Sequence, residues 1–539
     1  MSVVTYTIKK DGGPPMPKAA YGVVSIDVRR EVGRIPSAEL RIKDGDAATQ
    51  KYPATDDGFF DPGSKIEILL RREGAKTEDR CVFKGVVVRQ AIESSARGSH
   101  LIVGLKDEAV KLTGTRKTKV HVDKTDAEII RELLKLPPAA IPQSSGKHEN
   151  MVQYDCSDWD FIVMRAEALG MLVTVKEGKV SVGPMGPATG GKVHKFTWGI
   201  DSAYEIEIDA NAEHPYEKVE SIGWDKGNCE PTLPAHGDSA ATLPPRLAPA
   251  TFADKVGRNE QKLTHLVPPA DNELKSWADA RLARSHYSAL RGRISFPGRT
   301  DIDLLDEIDV QGVGERLSGK ALVTAVRHRL DVSGWRTDIQ LGLAPERHCQ
   351  REDIADVPAA GLLPPARGLQ IGTVAEVPEP NATDLRVKVN LFRSSGGVHV
   401  WARYVAPDMG EEHGVFFRPQ VGDEVLLGFL NDDPRHPVIL GSLLNEKSKV
   451  PSSLRPTKID SMGQGIVTKG GSMIYCVDGQ KPSVRIETKS QHGIVIYEAK
   501  GEIRLAIDGG GSITLNKEGI TIDAGSGNLT LKGAKVDVS

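Results

Sequence analysis

The sequence has almost no charge bias: 70 Lys and Arg stand against 73 Asp and Glu, a formal net charge of −3 over 539 residues. A general nucleic-acid binder draws its affinity from a basic surface, so that class is disfavoured from the outset. Long apolar runs are missing too, none approaching the ~18 residues of a membrane span. With 39% hydrophobic and 27% charged residues and a mean hydropathy of −0.30, the composition is that of a soluble globular protein. The opening stretch MSVVTYTIKKDGG has no apolar segment of signal-peptide length, so a Sec-type export route is not expected. Cysteine is scarce: Cys81, Cys156, Cys229, Cys349 and Cys476 are odd in number and widely scattered. Such spacing contains neither a CxxC redox pair nor a zinc knuckle, and predicts buried, reduced thiols.

Catalytic signatures are equally sparse. There is no GxSxG elbow and no P-loop. Gly312, Gly314 and Gly319 come nearest to a dinucleotide loop, but the spacing is GxGxxxxG between two strand patterns, which reads as a β-turn. The pairs Asp423/Glu424 and Asp432/Asp433 have the residue type that glycoside hydrolysis uses, yet each flanks the strand pattern VLLGFL at a turn. His399, His413 and His436 lack metal-ligand spacing and paired Cys or Asp ligands. No catalytic, cofactor or metal site is therefore expected.

What is present is short alternating stretches punctuated by Gly and Pro. A chain of this length predicts about three or four domains. Residues 1–115 carry VVSIDVRR, AELRIK, KIEILLRR, CVFKGVVVR and HLIVGLK, the pattern of a first β-barrel. The period then changes over 116–190, a small α+β insert. There Thr125 and Glu128 form a capping box for a helix whose Ile129, Ile130, Leu133 and Leu134 share a face, and Pro137 and Pro138 stop it. A second helix is expected from Ser157 to Gly170, with Trp159, Ile162, Ala166 and Leu169 inward and Gly170 left-handed. Residues 191–350 return to strands (GRISFPG, DEIDVQG, GKALVTAVRHRLD, WRTDIQLGL), a second barrel region. It is interrupted by a helix capped by Asp271, carrying Leu274, Trp277, Ala278 and Leu282, and ended at Gly292. A Pro-rich linker covers 351–368. Residues 369–446 hold LQIGTVAEV, LRVKVNLF, VHVWARYV, GVFF, VGDEVLLGFL and HPVILGSL, five or six strands that suit a small closed barrel of the OB type. That barrel class often binds single strands, but LRVKVNLFR offers only Lys388, Phe392 and Arg393 for the purpose. Residues 447–483 read as a linker or collar.

The tail, 484–539, has no proline and repeats short strands: VRIET, GIVIY, EIRLAID, SITLN, GITID, NLTLK and KVDVS. So short a segment encloses too little core alone and exposes its edges. Three copies around one axis solve both problems. The expected inward side chains are Ile486, Ile494, Ile496, Leu505, Ile513, Leu515, Ile520, Ile522, Leu529, Leu531, Val536 and Val538, with each strand pairing to a neighbouring chain. A last strand, Lys535, Val536, Asp537, Val538 and Ser539, would leave a blunt tip open to strand addition by a cap.

The run WARYVAPDMGEEHGVFFRPQVGDEVLLGFLNDDPRHPVILGSLLNE resembles the barrel of VgrG spike proteins of contractile injection systems. Upstream, SDWDFIVMRAEALGMLVTVKEGKV and GKALVTAVRHRLDVSGWRTDIQLGL look like the hub shared with phage late-control D proteins. The resemblance implies a mainly β chain: tandem hub β-barrels with a small α+β insert, an OB-fold barrel, and a C-terminal intertwined trimeric β-helix or β-prism needle. It implies a non-enzymatic, structural homotrimer that joins a hexameric inner tube to an envelope-piercing needle. Its implied partners are inner-tube and tube-initiator proteins, baseplate proteins and a PAAR-type tip protein, with membrane contact only on piercing and no nucleic acid. Assembly would be in the bacterial cytoplasm, followed by membership of an extracellular or secreted particle. The residues between Asn445 and Val484 leave no room for the lysozyme-like domain of some phage spikes, and no effector domain is expected after the needle. That compactness is nearer a tailocin-like extracellular particle than a type VI or phage-tail spike. An envelope-degrading hydrolase and a single-stranded nucleic-acid binder are the remote rivals.

Overall fold

In the strand Gly22–Glu31, Ile26 and Val28 are fully buried while their neighbours face outward, so one face is committed to a core. The computed structural model from which this is read describes the chain outside residues 1–3, 18–20, 47, 73–77, 97, 136–140, 142–145, 242–247, 249–251, 267–271, 379–384, 392–398, 456–462, 479–480 and 538–539. It forms two compact units, Met1–Asp356 and Val357–Ser539.

In the first unit, strands Val4–Lys10, Lys65–Arg72, Arg80–Ser95, Gly98–Lys106, Ser37–Lys43 and Gly22–Glu31 lie side by side in that order around a core that includes Leu40, Phe60, Ile66 and Leu101. The second β region has its own core, built on Phe196, Ile294, Phe296, Ile308 and Ile339. The two regions share one twelve-stranded sheet. They are joined where Gly22–Glu31 pairs antiparallel with Gly319–Asp331, placing Ile26 opposite Leu330 and Glu31 opposite Ala325. Trp335, from the second region, packs into the first core.

Between them sits the insert. Its first helix, Asp126–Leu134, has the predicted capping box: Thr125 Oγ1 accepts from Glu128 N at 3.2 Å, and Glu128 Oε2 accepts from Thr125 N at 2.8 Å. It ends with Lys135 in the left-handed region; Pro137 and Pro138 lie outside the described residues. The second helix, Asp158–Ala168, is capped by Ser157 and buries Trp159, Ile162 and Ala166. Gly170 has φ +68°, as the left-handed exit requires.

The third helix, Glu273–Tyr287, buries Ala278 and Leu282. Asp271 lies outside the described residues, and Asn272 precedes the helix without a side-chain cap. The expected stop at Gly292 is wrong: the helix ends at Ser288, and Gly292 sits within the strand Leu290–Pro297, paired with both Ile208 and Leu341. A Cβ there would meet the Glu207 carbonyl oxygen at 2.4 Å, so the glycine serves close strand approach. The cysteines also depart from expectation. Only Cys156 is buried, and Cys229, Cys349 and Cys476 are exposed.

In the second unit, five strands close a barrel: Gln370–Glu376, Val387–Leu391, His399–Tyr404, Pro437–Ser442 and Glu424–Phe429. Val374, Val387, Val389, Ala402, Val425, Leu427 and Ile439 fill it. The stretch GVFF is not a barrel strand. It follows a two-residue bridge, and Phe416 and Phe417 are exposed.

The tail is a seven-stranded antiparallel meander from Gly463–Val467 to Gly519–Asp523. Two of its strands, Gly463–Val467 and Met473–Val477, fall in the stretch read as a collar. Each strand pairs with its neighbour in the same chain, where pairing to another chain was expected. Short turns are the reason: Thr468 N donates to Ser472 O, Thr488 N to His492 O and Ile507 N to Gly511 O, and each bond folds the chain straight back.

Candidate functional site: the apolar face of the tail

The meander's register places its branched side chains on one face. Ile486 lies opposite Ile494, Ile494 opposite Leu505, Leu505 opposite Ile513 and Ile513 opposite Ile522. A parallel row runs from Val484 through Ile496, Ile503 and Leu515 to Ile520. The other face carries Arg485, Val495, Arg504, Thr514 and Thr521 in register. There the Arg485 guanidinium lies 5.6 Å from the Tyr497 ring and 3.5 Å from the Glu487 carboxylate. One face is therefore built for water and the other is not.

Nothing in the described chain covers the apolar face. Ile486, Ile494, Ile496, Leu505, Leu515 and Ile522 are 37–49% exposed. A contiguous apolar patch of this kind on a folded chain marks an interaction surface. Of the residues expected inward, Ile486, Ile496, Leu505, Ile513, Leu515 and Ile522 lie together on this face, as do Ile494 and Ile520. Leu529 and Leu531 do not: they are exposed and lie in no strand. The sequence reading also missed Val484, Ile503, Ile466 and Ile474, although the alternation in GQGIV and MIYCV carries the signal.

At the C-terminal end, Lys535, Val536 and Asp537 form no strand; Lys535 Nζ pairs with Asp537 Oδ2 at 2.9 Å, and Val536 is exposed. Val538 and Ser539 lie outside the described residues.

Elsewhere, polar groups that invited a chemical reading are occupied structurally. Asp433 accepts from Arg435 Nη2 at 2.6 Å, which with the Arg435 backbone N–H holds its carboxyl at about 2. Glu424 accepts from Asn445, and Asp423 from the backbone of Gln420. Gly312 and Gly314 lie in the turn after the strand Glu307–Gln311. Lys388 is paired with Glu376 at 3.1 Å; Phe392 and Arg393 lie outside the described residues. Among the described residues, no three His, Cys, Asp or Glu gather to hold a metal.

The first unit's buried charges tie its parts together. Asp126, in the insert, accepts from His148 Nε2 at 2.8 Å and from Arg165 Nε at 2.6 Å, and Arg165 reaches Glu273 of the third helix at 3.1 Å. Burial pushes the Asp126 carboxyl up, but the hydrogen bonds from His148 and Arg165 and the nearby Arg165 guanidinium outweigh it and leave it at about 2. Asp303 of the second region pairs with Arg30 of the first at 2.8 Å and with Lys176 of the insert.

Three family models match the chain: "Alg8 N-terminal domain" over residues 1–331, "Type VI secretion system/phage-baseplate injector OB domain" over 370–444, and "Phage baseplate V C-terminal trimerisation domain" over 483–539. The type VI secretion system spike protein VgrG5 of Pseudomonas aeruginosa is 34% identical over 82 residues, 14% of this chain and 10% of that protein. The chain thus matches only a tenth of that relative's length. Among solved structures, the tail protein of Neisseria meningitidis MC58 is similar at 14% identity and a TM-score of 0.44, covering 64% of this chain and 98% of that one. The VgrG complex with PdpA in its lidless form is similar at 10% identity and a TM-score of 0.42, covering 97% and 98%. Matched through its first 331 residues, its barrel and its tail, the chain belongs to the Alg8 N-terminal-domain family and is a VgrG-type spike protein.

Proposed function

We propose that three copies of this chain assemble into the hub and spike of a contractile injection machine. The observation that carries this reading is the tail sheet with one polar face and one uncovered apolar face, in a segment matched to a trimerisation domain. Three such sheets with their apolar faces inward close a three-sided prism. Residues 1–350 then form the hub, which meets the inner tube, its initiator and the baseplate. Residues 369–446 form the neck barrel, and the needle begins at Gly463.

The role is mechanical. A ladder in which consecutive strands are paired, with its apolar face sealed by two other copies, has no local element that opens separately, so axial force reaches the tip. Lys535, Val536, Asp537, Val538 and Ser539 make up that tip, where a PAAR-type cap would seat. The machine is assembled in the cytoplasm and acts outside it, touching a membrane only on piercing.

Light scattering tests the assembly: a particle of about three times 58.2 kDa is expected. A well-folded monomer overturns the reading. Deleting residues 535–539 should leave the trimer intact and abolish co-purification with the cap. Undiminished cap binding places that contact elsewhere.

A further inference from the structure

A cleft of about 160 Å³ in the first unit brings together the side chains of Arg281, Arg284 and Arg347. Among the described residues Glu167 is the one acidic side chain lining it, and both its oxygens are engaged. Oε1 accepts from Arg284 Nη2 at 2.5 Å and Oε2 from the backbone N–H of His348 at 2.8 Å. Arg284 is further held by the carbonyls of Ala344 and Glu346, at 3.0 and 3.1 Å. The other two guanidinium groups have no carboxylate partner among the described residues. Arg281 donates through Nε to Gln261 Oε1 at 2.8 Å, and Arg347 Nε is buried with no hydrogen-bond partner among the described residues. Burial and then the Arg347 and Arg284 cations push the Arg281 guanidinium below its ordinary range, as expected where like charges meet without a counter-ion. Met164, Ala168, Trp277 and Ala280 give the cleft its apolar lining.

We propose that this cleft binds a carboxylate carried on an apolar stem, as an acidic segment of a polypeptide partner presents it. Arg281 and Arg347 supply the charge-assisted donors that a carboxylate accepts, and their planar forks suit its two oxygens. The lining formed by Met164 and Trp277 covers the stem. A small hydrated inorganic anion would satisfy the cations but leave that lining facing its water shell. This assignment stands independently of the trimeric reading, because every residue in it belongs to the first unit of one chain.

The test uses the full-length protein, with four organic probes and inorganic phosphate at matched ionic strength. The organic probes are hexanoate, hexanamide, and the peptides acetyl-Leu-Glu-Leu-amide and acetyl-Leu-Gln-Leu-amide. Hexanoate and the Glu peptide should raise the melting temperature and slow alkylation of Cys349, which is exposed and lines the same cleft. Hexanamide and the Gln peptide should do neither. Arg281→Gln and Arg347→Gln should each weaken binding about tenfold. Without a probe, Arg347→Gln should be at least as stable as the parent, since it relieves repulsion. Phosphate acting as well as hexanoate overturns the apolar-stem assignment. Binding of hexanoate but not the Glu peptide overturns the polypeptide partner. Unchanged affinity in both variants places the site elsewhere.

Discussion

Arg327 donates through Nε to Asp27 Oδ1 at 2.9 Å and through Nη2 to Oδ2, joining side chains 300 positions apart at the seam between the two β regions. Arg29 reaches the same carboxylate at 3.0 Å. All three residues lie on the paired strands Gly22–Glu31 and Gly319–Asp331, which make the two β regions one sheet. Burial alone would raise the Asp27 carboxyl, but the two guanidinium groups outweigh it and hold it low.

A carboxyl held below its ordinary value of 3.8 stabilises the fold at neutral pH, and that contribution is lost as pH falls through the folded value. Asp27→Asn should therefore cost about 1 kcal/mol at pH 7, since the pair is partly exposed. Urea titrations followed by tryptophan fluorescence should show the difference from the parent shrinking towards pH 3. A constant difference would assign the cost to packing.

His328 gives the opposite sign. It is fully buried, with Nδ1 3.1 Å from Thr337 Oγ1, and burial, followed by the Arg30 cation and opposed by Asp303, pushes its imidazole down from 6.5 to about 3. Between those values the unfolded chain takes up a proton that the folded one refuses. Stability should then fall by about 1.4 kcal/mol per pH unit as pH drops below 6.5. His328→Leu should remove that slope, and a parent-like slope in the variant refutes the assignment.

Asp126→Asn should destabilise the first unit by about 3 kcal/mol, because Arg165 stays buried after losing its closest partner. Chemical denaturation at pH 7 measures this. A cost under about 1 kcal/mol would mean that Glu273 alone suffices to neutralise Arg165.

For the tail, Ile513→Asp puts a charge on the apolar face, whereas Thr514→Asp puts the same charge on the polar one. Light scattering should show the trimer lost in the first variant and kept in the second, with the first unit folded in both. Equal effects would mean that the face assignment is off by one residue.

Cys476 reports on the same face without a mutation, since it lies opposite Val484 in the apolar row and is exposed in the single chain. In the assembled protein, peptide mapping after alkylation should find Cys229 modified and Cys476 protected. In Ile513→Asp both should be modified. Modification of Cys476 in an intact trimer would open the needle at that level.

Local spacing determined much of this protein in advance. Thr125 with Glu128, Ser157 before its helix and the alternating strands of the barrel each specify their element within a few residues, because caps and pleats depend only on near neighbours. The tail's amphipathic face was equally legible, since a period of two needs no tertiary information. Where spacing was ambiguous, the tertiary structure decided. Gly292 has the residue type of a helix end, but the approach of Glu207 makes it a strand residue. The FF of GVFF has a strand's composition, yet the barrel closes without it. The turns of the tail turned pairing inward to the same chain. The seam between Asp27 and Arg327, the three-way tie at Asp303 and the arginine cleft bring together residues far apart in sequence, and only the burial of whole strands against one another sets such distances.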